Sequence, residues 1–167
     1  MDHPAPPDST PHEPRVWRAE RHEASDVARL LVAFRDHLGF DWPSDNAFLA
    51  GVERLIDDPA TDYLLGAPDE DSPAAGLVQL RYRWSVWRAS HDCLLEDLFV
   101  DPGARRSGLG RALVQAAIER ARARECRRIE LDTAETNEAA LALYRSAGFD
   151  NDAYEGGRAL FLRLRLD

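Results

Sequence analysis

The sequence predicts an α/β fold in which one mixed β-sheet carries helices on both faces. Several segments alternate apolar and polar residues, which is typical of strands, and others place apolar residues three or four positions apart, as helices do. After Cys93 a strand, a glycine-containing loop and a helix follow one another, which implies a parallel crossover, whereas the earlier strands resemble an antiparallel meander.

The predicted elements follow the order β-α-α-β-β-β-α-β-α-β-β. Alternation predicts strands over Val16–Ala19, Tyr63–Gly66, Ala75–Trp84, Cys93–Val100 and Arg128–Thr133, and a final strand in which Leu160, Leu162, Leu164 and Leu166 share one face. Helical spacing predicts helices over Asp26–His37, from a Ser44 cap through Ile56, over Leu109–Arg124 and over Asn137–Ala147. Five prolines in Met1–Pro14 predict a disordered arm, which leaves residues 15–167 as one domain.

The composition argues against several functional classes. The chain has 167 residues and a net charge of −9, with arginine supplying all 21 basic side chains, so binding to nucleic acid is disfavoured. No apolar run approaches the roughly 18 residues that span a bilayer, and the N-terminus does not resemble a secretory signal. Cys93 and Cys126 show no metal-type spacing. We therefore expect a cytoplasmic protein with no membrane partner and no metal site.

A candidate anion site lies where a strand ends at Val100 and a helix begins at Gly108 and Gly110. Glycine lets the backbone approach a ligand closely, and the first amides of a helix are unpaired and lie at the positive end of its dipole. Arginines add positive charge around this turn: Arg105, Arg106 and Arg111. A diphosphate suits such a turn, but from the residues alone a plain strand-to-helix turn is equally consistent. A dinucleotide fingerprint would need a third glycine, and a nucleoside-triphosphate loop would need a lysine.

Three motifs between residues 95 and 149 resemble the GNAT N-acetyltransferase superfamily. Arg105-x-x-Gly108-x-Gly110 resembles its acetyl-CoA loop. Glu96-Asp97 before Leu98-Phe99-Val100 is similar to the diamine and polyamine acetyltransferase branch. The stretch from Asn137 to Tyr144, followed by Gly148-Phe149, is similar to its later asparagine and tyrosine motif. The resemblance implies a central, largely antiparallel mixed sheet with a splayed pair of parallel strands.

The resemblance also implies where acetyl-CoA, as co-substrate, would bind. The pantetheine arm would enter between the strand ending at Val100 and the strand Arg128–Thr133, and would pair with the backbone of Leu98, Phe99 and Val100. The pyrophosphate would lie on the turn formed by Arg105, Arg106, Ser107, Gly108, Leu109, Gly110 and Arg111. Asn137 would either contact the arm or only cap its helix.

Two side chains are candidates for acid–base chemistry. Glu96 would orient the acceptor ammonium and accept its proton, directly or through water, whereas a solvated or ion-paired carboxylate is the alternative. Asp97 lies on the opposite face of an ideal strand, so only one of the pair should face the cleft unless a bulge reverses the choice. Tyr144 would protonate the departing thiolate, and its alternative role is ordinary packing on an amphipathic helix.

The implied activity is direct transfer of an acetyl group to the primary amine of a small cationic molecule in a ternary complex, by a homodimer. A protein N-terminus or lysine is an alternative acceptor, and a non-catalytic acyl-CoA-binding module is an alternative function. The acidic turn at Asp69–Asp71 could shape an acceptor cleft together with four aromatic residues, Trp42, Tyr82, Trp84 and Trp87. Trp84 and Trp87 could equally lie in a core or dimer contact.

Overall fold

A computed structural model describes residues 13–166, so the Met1–Pro14 arm lies almost entirely outside the described residues. Within them the strands are β1 (Arg15–Arg18), β2 (Thr61–Ala67), β3 (Gly76–Ser85), β4 (Ser90–Val100) and β5 (Arg128–Glu130). The α-helices are α1 (Ala24–His37), α2 (Asp45–Leu55), α3 (Leu109–Ala123) and α4 (Glu138–Ser146). Up to α4 the order of elements agrees with the prediction.

The sheet has the order β1-β2-β3-β4-β5. Its first four strands form an antiparallel meander, and β5 pairs with β4 in parallel. The parallel pair is connected through α3, because a chain that leaves one strand and joins its parallel neighbour needs a crossover. The predicted mixed sheet is therefore confirmed.

Each face of the sheet buries its own apolar cluster. On one face α1 and α2 pack against Tyr63, Leu77 and Phe99. On the other face α3 packs against a cluster that includes Leu80 and Cys93. The helices thus cover both faces, as the sequence predicts.

Two glycines let α3 approach the sheet closely. A Cβ atom on Gly66 would lie 2.7 Å from Cδ1 of Leu109, and one on Gly76 would lie 2.8 Å from Cδ1 of Leu113. Both distances are too short for carbon atoms in contact. The glycines therefore set the depth of the first turn of α3, which carries the candidate anion site.

The predicted final strand is wrong. In this part of the chain the structure shows only an isolated antiparallel bridge between Asp152 and Arg158, and no strand includes Leu160–Leu166. The leucines of that run are 77–89% exposed. Alternation gives a segment an apolar face, but a strand also needs a neighbour that accepts its backbone hydrogen bonds. Strand β5 is also shorter than predicted, because its ladder ends at Glu130 and not at Thr133.

The structure also describes the cysteines and the lengths of the helices. Cys93 and Cys126 are both free thiols. Among residues 13–166 no helix has the length and apolar character needed to cross a membrane.

Candidate active site

The parallel strands β4 and β5 separate after a short region of contact. Their ladder joins Asp92–Leu94 to Arg128–Glu130 and goes no further, although β4 continues to Val100. Within residues 13–166 the second half of β4 therefore has a strand neighbour only on its β3 side, and we call the region where its other edge parts from β5 the gap. The residues expected to meet a pantetheine arm, Leu98, Phe99 and Val100, lie on this unpaired edge. This is the geometry of the splayed pair that the resemblance implies.

A β-bulge lies in β4 at the carboxylate pair. Gln79 of β3 is opposite Asp97, whereas Leu80 is opposite Leu95, so Glu96 is an extra residue on β4. A bulge of this kind interrupts the alternation of side chains between the two faces of a strand. The argument that only one of the two acids can face the cleft therefore does not apply, and both are candidates.

The bulge brings Asp97 into line with polar groups on two neighbouring strands. Tyr63 is opposite Gln79, which is opposite Asp97, so the three side chains form a row across β2, β3 and β4. Glu96 is exposed, while Asp97 is partly buried. The row lies on the face that α1 and α2 cover, because Tyr63 and Phe99 belong to the cluster beneath those helices.

Asp97 has the electrostatic character of a weak base. Burial, assisted by the nearby carboxylates of Glu96 and Asp132, raises its pKa to about 6. Burial and the charge of Asp97 in turn raise the pKa of Tyr63 to about 12, so that this phenol stays protonated. A carboxylate with this pKa is mostly ionised at neutral pH, yet it holds a proton more firmly than an ordinary aspartate.

Tyr144 approaches the same gap from α4. It is 8% exposed, and its ring meets Phe149 edge to face at a centroid distance of 5.8 Å. Burial raises the pKa of its phenol, and the charge of Asp97 raises it further. The phenol of Tyr144 on α4 and the carboxylate of Asp97 on β4 therefore interact electrostatically, although they come from different elements.

The turn before α3 has the backbone of an anion site. Gly108 takes a φ of +81°, which favours glycine, and Arg106 also has a positive φ, of 65°. The hydroxyl of Ser107 donates to the carbonyl of Ala104 at 2.6 Å and accepts from the amide of Leu109 at 3.3 Å.

The next two amides of α3 remain unpaired. In the described chain neither Gly110 N nor Arg111 N has an acceptor, because the first α-helical bond inside this turn runs from Ala112 to Gly108. A Cβ atom on Gly110 would be 3.5 Å from Leu143 and 3.9 Å from Val100, which is ordinary contact. Glycine at this position therefore leaves the amides open to a ligand without being required by the protein's own packing.

The three arginines of the turn differ in their surroundings. Arg105 is directed back toward the protein, with Nε 3.5 Å from the carbonyl of Val100 and Nη2 3.1 Å from Nε2 of His37. Arg106 and Arg111 are exposed and have no ion pair among residues 13–166. The positive charge at the turn that has no ion-pair partner in this part of the chain therefore comes from these two side chains.

Two other expectations concern Asn137 and Leu109. The Oδ1 atom of Asn137 accepts from the amide of Ala140 at 3.3 Å, so this side chain caps α4, one of its two expected roles. Leu109 is 1% exposed and belongs to the core, so its backbone alone can take part in the turn.

The aromatic residues proposed for an acceptor cleft do not converge. Tyr82 is buried and donates its hydroxyl to Asp62 on the α3 face. Trp84 and Trp87 lie at the β3–β4 hairpin, where they are 59% and 97% exposed, and neither is a core residue. Trp42 is exposed in the α1–α2 connection.

Sequence reasoning missed Tyr63 and Gln79 as members of the site. Both lie in strands whose apolar pattern predicts a place in the core, and only the pairing register between strands aligns them with Asp97. No local signal in the sequence could have identified them. Among the described residues no cluster of histidine, cysteine or acidic side chains could hold a metal ion.

Comparisons with known proteins agree with this geometry. A family model described as Acetyltransferase (GNAT) family matches residues 17–149. Aminoglycoside N(6')-acetyltransferase type 1 of Stenotrophomonas maltophilia is 28% identical over 156 residues, which cover 92% of this chain and 95% of that protein. The chain spans 60%, 63% and 23% of the lengths of three other curated relatives.

Solved structures share the fold. The crystal structure of a protein from Arthrobacter sp. FB24, assigned as an acetyltransferase, has a TM-score of 0.80 at 27% identity and covers 91% of this chain and 95% of that one. Aminoglycoside N-acetyltransferase AAC(6')-Iy in complex with CoA has a TM-score of 0.71 and covers 93% of this chain and 97% of that one. Its identity is 22%, so this likeness shows the fold alone.

Proposed function

Because the chain belongs to the GNAT acetyltransferase family, we propose that it transfers an acetyl group from acetyl-CoA to the primary amine of a small cationic molecule. The observation that carries the proposal is the separation of β4 and β5 after Leu94 and Glu130, together with the electrostatic interaction between the carboxylate of Asp97 on β4 and the buried phenol of Tyr144 on α4. Such a pair can take a proton from a nucleophile and return one to a leaving group.

The turn before α3, which we call the cofactor turn, suits the diphosphate of acetyl-CoA. The unpaired amides of Gly110 and Arg111, the left-handed Gly108 and the exposed Arg106 provide donors and positive charge at one point. The free edge of β4 at Leu98, Phe99 and Val100 offers backbone groups to the pantetheine arm. Asn137 uses Oδ1 in its cap, which leaves Nδ2 to donate to that arm.

The proposed reaction is a direct transfer. Glu96, which is exposed, receives and orients the ammonium, and the proton passes to the Glu96–Asp97 pair, directly or through water. Burial raises the pKa of Asp97 to about 6, which suits it to hold this proton. The amine then attacks the thioester carbonyl, a backbone amide of the β4 edge stabilises the oxygen, and a C–N bond replaces the C–S bond. Tyr144 gives its proton to the leaving thiolate, and the resulting phenolate takes up the proton that the attacking nitrogen loses as the neutral amide forms.

The acceptor is proposed to be cationic because of the charges around the gap. Glu96, Asp97 and Asp132 bring three carboxylates close enough to raise the pKa of the central one. A bound ammonium would relieve this repulsion. The curated relative from Stenotrophomonas maltophilia is named for aminoglycosides, and a molecule with several amino groups would suit such a gap. A cytoplasmic location, a homodimeric state and a single domain over residues 15–167 stay predictions.

The experiment that tests this function is a CoA-release assay on the full chain with acetyl-CoA and a panel of amines. The panel contains aminoglycosides, linear polyamines, amino sugars and peptides with free N-termini or lysines. We expect turnover with at least one small cationic amine. Turnover with peptides alone would overturn the acceptor class, and acetyl-CoA binding without any turnover would favour a non-catalytic acyl-CoA-binding module.

The pH dependence of the reaction should report the carboxylate pair. Because the acceptor's proton must go to an ionised carboxylate, kcat/KM should rise as the pH increases through about 6, the raised pKa of Asp97. In Asp97→Asn this rise in kcat/KM should move to lower pH or vanish, and kcat/KM should fall at every pH. If the rise is unchanged in Asp97→Asn, then Asp97 is not the group that titrates, and Glu96→Gln would be measured in the same way.

A carboxylate placed at the cofactor turn should weaken binding of acetyl-CoA. Gly110→Glu would set a negative charge beside the free amides of Gly110 and Arg111, where the diphosphate is proposed to lie. We expect Kd for acetyl-CoA, measured by calorimetry, to rise about tenfold or more, because a favourable anion site becomes occupied by the protein's own charge. Gly51→Glu is the control, since it changes the net charge equally in α2, where an added Cβ meets nothing within 4 Å. Equal affinity in both variants would contradict the proposed site.

A further inference from the structure

Five polar residues lie together on the sheet face that α1 and α2 cover. Three of them form the row described above, and the other two are opposite one another in the next row, two residues further along β2 and β3. Side chains two residues apart on a strand share a face, so all five belong to one surface. We call this surface the polar patch, and its members are Thr61, Tyr63, Gln79, Arg81 and Asp97.

The neutral members of the patch are buried and lack hydrogen-bond partners. Thr61 and Tyr63 are each 2% exposed, and Gln79 is 6% exposed. In the part of the chain that the structure describes, none of these three side chains makes a hydrogen bond. Buried polar groups in folded proteins are nearly always hydrogen-bonded, because they have lost the bonds that they would make with water. Three exceptions on one surface indicate a binding site whose partner is a ligand.

The charged members of the patch are unpaired as well. Over residues 13–166 neither Asp97 nor Arg81 forms an ion pair or a side-chain hydrogen bond. Both side chains are only partly buried, so a ligand can reach them. The patch therefore has a carboxylate on β4, a guanidinium on β3 and neutral hydrogen-bonding groups between and beside them.

The spacing of the strands fixes the size of molecule that the patch can bind. Neighbouring strands lie about 4.8 Å apart, so Gln79 is one such step and Tyr63 two steps from Asp97 along the row. An amine held at Asp97 can extend across both. A hydroxyl group donates and accepts hydrogen bonds, and it therefore matches an amide and a phenol. A second ammonium group would instead be repelled by the charge of Arg81.

We propose that the polar patch binds hydroxyl groups of the acceptor, so that the preferred substrate is an amine that carries hydroxyl groups close to its amino group. The inference rests on the proposed function, because it names the acceptor of the same site. Gln79 and Tyr63 determine the preference, since a linear polyamine would leave both of these buried groups unpaired. The amino group itself lies at the Glu96–Asp97 pair.

The first test compares glucosamine with cyclohexylamine as acceptors in the CoA-release assay on the full chain. Each has one primary amine on a six-membered ring, but only glucosamine has hydroxyl groups. Gln79→Leu should lower the ratio of kcat/KM for glucosamine to kcat/KM for cyclohexylamine about tenfold, because leucine has a similar size but forms no hydrogen bond. Tyr63→Phe should lower the ratio in the same direction. The different basicity of the two amines cancels when this ratio is compared between variants.

Gln115→Leu is the matched control for Gln79→Leu. It makes the same substitution on the exposed side of α3, where Gln115 donates to Glu119 at 3.1 Å, and it should leave the ratio unchanged. Thermal unfolding verifies that each variant is folded. If the ratio is the same in Gln79→Leu and in the natural protein, the patch holds ordered water only and the proposal is wrong.

Failure of the proposed function would give a different result. If acetyl-CoA binds but no amine is acetylated, the function fails, and the patch is then tested by calorimetric titration with glucosamine. Weaker binding of glucosamine to Gln79→Leu than to the natural protein would support the patch as a hydroxyl site. Equal binding to both proteins, or binding to neither, would contradict it.

The second test concerns the charge of Arg81. In Arg81→Gln, kcat/KM for putrescine, a linear diamine, should rise about threefold relative to kcat/KM for glucosamine, because the repulsion of the second ammonium is removed. Arg83→Gln is the control, since it removes the same charge from an exposed side chain of β3 that pairs with Glu130. An equal change in both variants, or no change in Arg81→Gln, would contradict the proposal.

Discussion

Tyr144→Phe is expected to lower kcat about 100-fold or more and to leave KM for acetyl-CoA nearly unchanged. The hydroxyl is the proton donor that we propose for the leaving thiolate, and burial keeps its pKa raised so that it stays protonated at neutral pH. Phenylalanine retains the ring contact with Phe149, which is an edge-to-face pair at 5.8 Å. The loss should therefore appear in the chemical step and not in folding or in cofactor binding. The initial rate of CoA release at saturating acetyl-CoA measures kcat for the variant and for the natural protein.

The control for this substitution is Tyr154→Phe. Tyr154 is fully exposed and outside the proposed site, so loss of its hydroxyl should change neither kcat nor KM. Thermal unfolding of both variants should match that of the natural protein. If Tyr144→Phe keeps full activity, then the tyrosine only packs between α4 and Phe149, which is the alternative that its helical spacing allows.

Asp62→Ala is expected to destabilise the protein by about 3 kcal/mol. The side chain of Asp62 is 1% exposed and accepts from Arg18 Nε at 2.8 Å, from Arg120 Nε at 2.7 Å and from the hydroxyl of Tyr82 at 2.9 Å. It thereby connects β1, β2, β3 and α3. Alanine would leave the buried Tyr82 hydroxyl without an acceptor and the arginines without their counter-charge. Urea denaturation gives the change in the free energy of unfolding.

Two comparisons sharpen the Asp62 prediction. Asp57→Ala removes a carboxylate from an ion pair with Arg21 in which both side chains are more than half exposed, so it should lower the free energy of unfolding by less than about 1 kcal/mol.

The effect of Asp62→Ala should also depend on pH. Burial opposes ionisation of Asp62, but the hydrogen bonds from Arg120 and Tyr82 outweigh it and lower its pKa below the ordinary 3.8.

A lowered pKa in the folded state means that ionised Asp62 stabilises the protein above the ordinary value. This stabilisation is lost as the pH falls through the lowered pKa. The difference between the natural protein and Asp62→Ala should therefore be greatest near neutral pH and should narrow below about pH 4. A difference that stays constant down to the acid range would show that lost packing, and not lost charge, dominates.

Some residues of the candidate site can be predicted from short stretches of sequence, and others cannot. The turn at Gly108 and Gly110 can be recognised from the sequence because a left-handed residue and open helix amides are requirements of a few consecutive residues. Tyr144 and Asn137 could be named because the stretch that contains both, followed by Gly148-Phe149, resembles the family's asparagine and tyrosine motif. The choice between Glu96 and Asp97 could not be made in this way, since it depends on a bulge that exists only where β4 pairs with β3.

The amino-acid sequence by itself determined the order of elements through α4, the burial of apolar residues on both faces of the sheet and the position of the glycine-containing turn before α3. These features follow from side-chain periodicity and from the backbone preferences of single residues, which act over short distances along the chain. Only the tertiary structure decided where β4 and β5 part, that Asp97 lies in a row with Tyr63 and Gln79, and that the leucines after Gly157 form no strand. Each of these depends on which backbone finds a partner, and pairing between distant segments leaves no local signal in the sequence.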